Sequence, residues 1–355
     1  VKGLILSGGK GTRLRPITHT SAKQLVPVAN KPILFFAIEA VRDAGVEEIG
    51  IVVGETGAEI RAAVGDGSAF GVKITYIPQE NPLGLAHAVK VSRDFLGEDP
   101  FVMFLGDNLI KDGITPLVDE FRRDGPNSQI LLASVPNPSE FGVAEIADGK
   151  VVGLEEKPAQ PKSEFALVGV YMFDRSIHEA VDNIQPSARG ELEITDAIQY
   201  LIDHDFDVRS HVIRGWWKDT GKLEDMLEAN RIVLSSLERR IDGEVDDRSR
   251  IIGEVVVGKG ARVENSELRG PLILGEGAVV KDSYVGPFTS ISDQCEVLSS
   301  EVEFSIILKG GRVHDLDRRM EGSLVGRNAT ILSSAVRPRA YRFMVGDNSE
   351  VRVPR

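Results

Sequence analysis

The sequence predicts an α/β protein, a mixed and mostly parallel sheet flanked by helices, followed by a parallel β-helix. Three observations carry this expectation. Over roughly the first 230 residues, apolar runs of about five residues alternate with amphipathic helical stretches, the pattern of strands buried on both faces. Helical periodicity then stops near Ile241. Beyond it runs a loose repeat of about six residues, an aliphatic residue followed by Gly, small or polar ones, which is the mark of a parallel β-helix.

Taken in order, Lys2–Leu6 reads as a strand, Pro32–Ala44 as a helix stopped by Gly45, and Ile49–Val53 and Lys73–Ile77 as strands. Leu85–Phe95 is expected to be helical, Phe101–Leu105 a strand, Ile114–Arg123 a helix and Gln129–Val135 a strand. Val143–Ile146, Val151–Glu155 and Ala166–Phe173 read as an inserted antiparallel portion, with Asp148-Gly149 suited to a hairpin turn. Lys222–Ile241 is expected to form one helix. In the repeat, Ile252-Gly253, Val257-Gly258, Leu274-Gly275, Val285-Gly286 and Val325-Gly326 supply the aliphatic–Gly step, and Gly310–Gly322 reads as a break. A chain of 355 residues exceeds one hydrophobic core, so two domains are expected, residues 1–241 and 242–355.

Composition narrows the function. The net charge of −12 argues against a surface made for nucleic acid. No apolar run is long enough to cross a bilayer, and the N-terminus does not read as a signal peptide. Cys295 is the only cysteine, which excludes an intrachain disulfide and a CxxC site; a reducing cytoplasm is the expected compartment. None of the six histidines has ligand spacing, and Trp216 and Trp217 read as packing residues that seat Asp219.

Charge is unevenly spread: residues 1–38 hold six Lys or Arg and no Asp or Glu. Three of these cations, Lys10, Arg13 and Arg15, fall in LSGGKGTRLRPIT (residues 6–18) together with Gly8, Gly9 and Gly11. A glycine-rich turn after a strand lets backbone N–H groups converge on phosphate. Leu14 stands where a dinucleotide fingerprint needs its last glycine, and the GK[ST] of a Walker loop is absent. Arg13 and Lys23 add more charge than one phosphate needs, so a polyphosphate is the expected ligand.

GGxGTRLxPxT, present as Gly8–Thr18, resembles the signature of sugar-1-phosphate nucleotidylyltransferases. SAKQLVPVANKP, QENPLGLAHA (79–88), FLGDN (104–108), FGVAE (141–145), LEEKP (154–158), LVGVY (167–171), RGELEITD (189–196) and WWKDTG (216–221) follow in order. Together they resemble the glucose-1-phosphate thymidylyltransferases over residues 2 to 235, and the repeat resembles the long form of that family. The resemblance implies a Rossmann-like nucleotidyltransferase sheet, a left-handed β-helix, and the reaction of glucose 1-phosphate with dTTP to give dTDP-glucose and pyrophosphate, the first step of dTDP-deoxysugar biosynthesis. Such a reaction joins two anions and needs no general base, so Lys, Arg and Mg²⁺ are the groups expected to serve it.

The resemblance also assigns roles. Arg13, Lys23, Asp107 and Asp219 would be catalytic, with Asp107 and Asp219 as the Mg²⁺ carboxylates. Leu6, Gly8, Gly9, Gly11, Thr12, Arg13, Gly106 and Asp107 would hold the nucleotide. Gln79, whose amide both accepts and donates, would read the base with Gly84, while Pro82 and Leu85 wall the ring. Gly142, Glu156, Val168 and Gly169 would contact the sugar, and Lys157 and Arg189 its phosphate. The alternatives are another sugar-1-phosphate nucleotidylyltransferase (UTP-using, ADP-glucose- or GDP-mannose-forming) and a non-catalytic nucleotide-sugar sensor. The Gly84-Leu85-Ala86 step favours thymine or uracil over a purine, and the intact cations and carboxylates speak against a sensor. The expected partners are these small molecules and, because solenoid faces pack on one another, further copies of the chain, with neither nucleic acid nor membrane.

Overall fold

A strand that runs Lys2–Ser7 with five of its six residues buried must have sheet neighbours on both sides, and it has. Glu48–Val53 and Phe101–Leu105 both pair with it in parallel. The computed structural model describes residues 1–333 apart from Lys10, Thr20, Lys111 and Arg214; residues 334–355 of the expected β-helix domain and the Lys10 of the glycine-rich loop lie outside the described residues. The described chain divides into two compact units. The first comprises residues 1–12, 21–26 and 31–221; the second comprises 13–20, 27–30 and the chain from Lys222 onward. No helix among the described residues is long and apolar enough to cross a membrane.

The first unit is built on a nine-stranded mixed sheet. Its main path runs Lys150–Glu156, Gly142–Ala147, Phe165–Phe173, Phe101–Leu105, Lys2–Ser7, Glu48–Val53 and Lys73–Pro78, with Ser128–Ser134 and Val208–Val212 branching off Phe165–Phe173. The strands from Lys2 to Pro78 are parallel, whereas Phe165–Phe173 runs antiparallel to Phe101–Leu105. One apolar cluster gathers around Ile38, Ile51, Phe104 and Val118, a second around Val52, Phe101, Phe173 and Ile198, with strand residues divided between them and a different set of helices in each. Alternate residues of buried strands thus serve both faces, as a two-sided α/β sheet requires. Asp148 and Gly149 take positive φ (50° and 76°) in the two-residue turn that joins Ala147 to Lys150.

The carboxyl ends of the central parallel strands, Ser7, Val53 and Leu105, open on to glycines: Gly8, Gly54 and Gly106. A Cβ on Gly54 would lie 3.0 Å from the Gly8 carbonyl oxygen, so the two loops approach as closely as their backbones allow. In open α/β sheets this end of the strands is where ligands bind.

Among the described residues, the second unit stacks its strands into three parallel sheets of six, six and five strands, a parallel β-helix. Val263, Val280, Val297 and Val313 form one inward column, in register from coil to coil and fully or almost fully buried. Successive members stand 17, 17 and 16 residues apart, so a coil is slightly shorter than three hexapeptides. Ser266, Ser283 and Ser300 form a second ladder, each hydroxyl accepting the backbone N–H of the residue one coil later. Cys295 is completely buried in this core, its thiol directed at the carbonyl oxygens of Ile307 and Leu308; burial pushes its pKa up to about 11.

Three expectations change. The helix predicted over Lys222–Ile241 spans only Leu223–Leu234. Ser235 and Ser236 turn their hydroxyls back on to the carbonyls of Arg231 and Val233, and Arg240–Ile241 is already a strand paired with Val256–Val257. The helix predicted over Leu85–Phe95 ends at Val91, and a separate turn of helix covers Arg93–Leu96. Gly310–Gly322 does not break the repeat: Arg312–His314 pairs with Glu296–Leu298, and Met320 stands beside Val302. The step from Val302 to Met320 is 18 residues instead of the 17 from Val285 to Val302, so the extra residue is absorbed at a corner. Gly57–Val64, Ser176–Asn183 and Ile194–Asp203 are helices that the sequence reading passed over.

Leu274 is fully buried in the β-helix core. Leu274→Ala is expected to destabilise the protein by about 2–5 kcal/mol, read from the second-unit transition in chemical denaturation.

Candidate active site

Lys23 is a buried cation at the first unit's mouth, its side chain 6% exposed. It follows Ala22, whose backbone N–H donates to Glu59, and lies in a turn of 3-10 helix, Lys23–Leu25. Its Nζ is 2.5 Å from Asp107 Oδ2 and 3.7 Å from Asp219 Oδ1. The two aspartates come together because Asn108–Ile110 and Trp217–Asp219 form a small antiparallel ladder of their own, with Asp219 opposite Asn108. Thr220 ties the junction twice, its N–H and hydroxyl both donating to the Asp107 carbonyl oxygen. Trp217 Nε1 donates to Asn108 Oδ1, and Asn108 Nδ2 donates to Asp107 Oδ1 at 2.9 Å. Burial alone would raise the Asp107 pKa, but the Lys23 charge and hydrogen bond and the Asn108 amide outweigh it, leaving the carboxyl below its ordinary value.

Two carboxylates converging on one cation fit a divalent ion with hard oxygen ligands, since Mg²⁺ needs only one or two carboxylates when phosphate oxygens and water complete its shell. Among the described residues no group of three or more His, Cys, Asp or Glu side chains is placed to hold a metal.

A second group gathers at the end of Lys73–Pro78. Gln79, 8% exposed, donates from Nε2 to the Gly84 carbonyl (3.4 Å) and meets His87 Nδ1 at 2.9 Å. Its Oε1 stands 3.1 Å from where a Cβ on Gly8 would lie, which brings it to the glycine-rich loop. Gly84 has φ of 108°, and a Cβ there would collide with the Leu192 carbonyl, so only glycine fits. Leu192 also donates its N–H to the Leu83 carbonyl and accepts from Ala86. The segment Arg189–Asp196 is thereby sewn to the loop that carries Pro82, Gly84 and Leu85.

The same segment organises a third group. Glu156 lies opposite Gly142 on the neighbouring strand, where the missing side chain leaves room for the Glu156 carboxylate and the Thr195 methyl. Thr195 Oγ1 donates to Glu156 Oε2 at 3.5 Å. Arg189 is clamped by Glu193 (2.8 and 2.9 Å) and reaches Glu156 at 3.2 Å. Its charge is therefore already met by carboxylates. Lys157, with φ of 45° and Nζ 3.9 Å from Glu156, is the less committed cation of the two. Gly169 links this region to the first: a Cβ on it would press on Asn108 Oδ1 and Leu105. Val168, fully buried, lies where Phe165–Phe173 slips register against Ser128–Ser134.

The structure thus groups Lys23, Asp107 and Asp219; Gln79, Gly84 and Gly8; and Gly142, Glu156, Lys157 and Arg189. Leu6 and Gly106 are buried at the strand ends, while Gly9, Thr12 and Pro82 are exposed. Arg13, exposed on the turn Thr12–Leu14, falls in the second unit. Four residues passed over by sequence reasoning belong here. Asn108, Thr220 and Thr195 sit inside quoted motifs, but nothing in those motifs says which side chains turn inward. Gln24, 3% exposed and near Gly9, keeps an Oε1 with no hydrogen-bond partner among the described residues. Trp217 does seat the carboxylate pair, and does so through its indole N–H as well as by packing on Phe141.

A nucleotidyl transferase family model matches residues 2–236. The glucose-1-phosphate thymidylyltransferase of Streptomyces griseus is 58% identical over 354 residues, covering 99% of both chains. That of Streptomyces antibioticus is also 58% identical, over 356 residues and 99% of both chains. The solved structure of a presumed glucose-1-phosphate thymidylyltransferase of Bacillus anthracis, in complex with a sucrose, superposes with a TM-score of 0.62. It is 38% identical and covers 65% of this chain and 94% of its own.

Burial, with the Glu193 charge adding to it, raises the Glu156 pKa above its ordinary 4.5, against the pull of Arg189 and Lys157. The ionised carboxylate therefore costs stability above the raised value, and the cost disappears below about pH 4.5, where both states are protonated. Glu156→Gln is expected to raise Tm at pH 7, with the gain shrinking as scans move to pH 4.

Proposed function

Because this chain belongs to the nucleotidyl transferase family, we propose that it joins glucose 1-phosphate to the thymidylyl group of dTTP and releases pyrophosphate. The observation that carries the reading is Lys23 buried between Asp107 and Asp219, at the carboxyl end of the central strands. The full-length likeness to two thymidylyltransferases supports the choice of nucleotide and sugar.

In this reading a phosphate oxygen of glucose 1-phosphate attacks the α-phosphorus of dTTP as the bond from that phosphorus to the bridging oxygen breaks. The electron pair leaves with pyrophosphate, and no proton needs to be removed from the nucleophile, which is ionised at neutral pH. The barrier is repulsion between anions, so positioning and charge neutralisation supply the catalysis. Lys23 has little exposure and a preset direction, which makes its charge effective on phosphate that displaces water from it. Gly8, Gly9 and Gly11 present backbone N–H groups to the triphosphate, and Arg13 steadies the departing pyrophosphate. Asp107 and Asp219 would hold Mg²⁺, whose chemistry when bound is to screen phosphate charge.

On the other side, Gln79 and Gly84 read the base between Pro82 and Leu85. Glu156 and the Val168-Gly169 backbone take glucose hydroxyls, with Gly142 leaving room for them. Lys157 takes the sugar phosphate. Arg189, already paired with Glu193, acts chiefly by holding Glu156 in place. A homo-oligomer and a cytoplasmic location fit this reading.

Pyrophosphate release from dTTP, dependent on glucose 1-phosphate and Mg²⁺, is the direct test. Asp107→Ala and Asp219→Ala are each expected to lower kcat by about 100-fold or more, the scale of losing a preorganised charge-stabilising group; unchanged turnover in either would refute the carboxylate assignment. Lys157→Ala should raise KM for glucose 1-phosphate more than KM for dTTP.

A further inference from the structure

No step above uses His87. It lies half-buried in the helix Leu85–Val91, three residues after Gly84. Its Nδ1 is 2.9 Å from Gln79 Nε2, whose other partner is the Gly84 carbonyl oxygen. A carbonyl oxygen only accepts, so the nitrogen end of the Gln79 amide, not its oxygen, must turn toward Gly84. With Nε2 placed there, His87 Nδ1 has to accept, and the ring proton sits on His87 Nε2. Burial, with the Lys90 charge adding to it, holds the imidazole pKa below its ordinary 6.5, so the ring is neutral at pH 7 as an acceptor must be.

Both amide protons of Gln79 are thereby used inside the protein. Oε1 makes no hydrogen bond among the described residues and stands over Gly8. Gln79 was expected from the sequence to accept and donate alike; the fold leaves it only its acceptor. Rotating the amide by half a turn would set its oxygen against the Gly84 carbonyl, and against His87 Nδ1 as well while the ring proton stays on Nε2.

We propose that His87 is a positioning residue that fixes the oxygen of Gln79 toward the nucleobase, so that the site takes pyrimidines with a ring N–H at that edge and refuses cytosine. The proposal rests on the nucleotide reading above, since it needs the base to lie against Gln79. Thymine and uracil carry a proton on N3 and can donate it to Oε1. Cytosine presents a bare lone pair at N3, and two acceptors would then face each other beside the buried Gln79 amide. A site that fixes a hydrogen-bonding group rejects the wrong partner far more strongly than one that only fits its shape.

The test compares wild type, His87→Phe and His87→Gln for kcat/KM with dTTP and dCTP at saturating glucose 1-phosphate and Mg²⁺, with thermal melts of all three. Wild type should reject dCTP. In His87→Phe the 2.9 Å bond is lost and only the longer 3.4 Å bond to the Gly84 carbonyl still directs the amide, so the dTTP-to-dCTP ratio should fall by about tenfold or more, with KM for glucose 1-phosphate unchanged. In His87→Gln the new side-chain oxygen accepts the same N–H, and the ratio should recover. A folded His87→Phe protein that keeps the wild-type ratio overturns the proposal, as does a His87→Gln protein that fails to restore it. Long-range ¹H–¹⁵N spectra of the imidazoles, with His87 assigned by its loss in His87→Gln, give a readout independent of turnover. A protonated Nδ1 overturns the lock itself. Expected protonation at Nε2 in a protein that releases no pyrophosphate from dTTP would instead place the failure in the nucleotide reading.

Discussion

Asp107 and Asp219 are 112 positions apart, and left alone they would repel each other across the mouth of the sheet. They share it because the Lys23 ammonium stands between them. Much of the first unit can be understood as what is needed to hold that arrangement. A buried strand ends at Leu105 so that Asp107 emerges at its tip; a three-residue ladder brings Asp219 alongside; Trp217, Asn108 and Thr220 remove the remaining freedom by hydrogen bonds. A cation with only 6% exposure would be costly if unpaired, and carboxylates so close would be costly without it. Each half of the arrangement is tolerable only in the presence of the other.

How much of this was legible in the sequence depended on range. The strands Lys2–Ser7, Glu48–Val53 and Phe101–Leu105 announce themselves as short apolar runs, and they are found within a residue of where periodicity puts them. The hairpin at Asp148-Gly149 was legible because two positive φ angles demand such residues. The end of the helix at Leu234 was not, since Ser235 and Ser236 stop it by local hydroxyl bonds that compete with helix only weakly on paper. Gly310–Gly322 misled for the opposite reason: its charged residues hide a coil whose inward Val313 keeps the column intact.

The site divides the same way. Lys23, Asp107 and Asp219 could be named from motifs, and the structure brings the three side chains together. That Arg189 is spent on Glu193 and Glu156 could not, as the motif records residue types and not which charges are already paired. The same blindness hid Gln24, whose Oε1 has no hydrogen-bond partner among the described residues, and Asn108, which joins Trp217 to Asp107 through both its oxygen and its nitrogen. Gly84 is the intermediate case: the glycine was visible, but its reason, the Leu192 carbonyl, comes from a segment more than a hundred residues away.

The single thiol of this chain has a practical meaning. Cys295 is sealed in the β-helix, aimed at backbone oxygens and held protonated well above physiological pH. Thiolate, not thiol, is the nucleophile toward alkylating reagents, so the folded protein is expected to react slowly with maleimides and in disulfide exchange. It is therefore a ready-made scaffold for site-directed spectroscopy. A cysteine introduced anywhere on the surface becomes the one reactive handle, and a dye or spin label placed there reports on that position without the native sulfur first having to be engineered away.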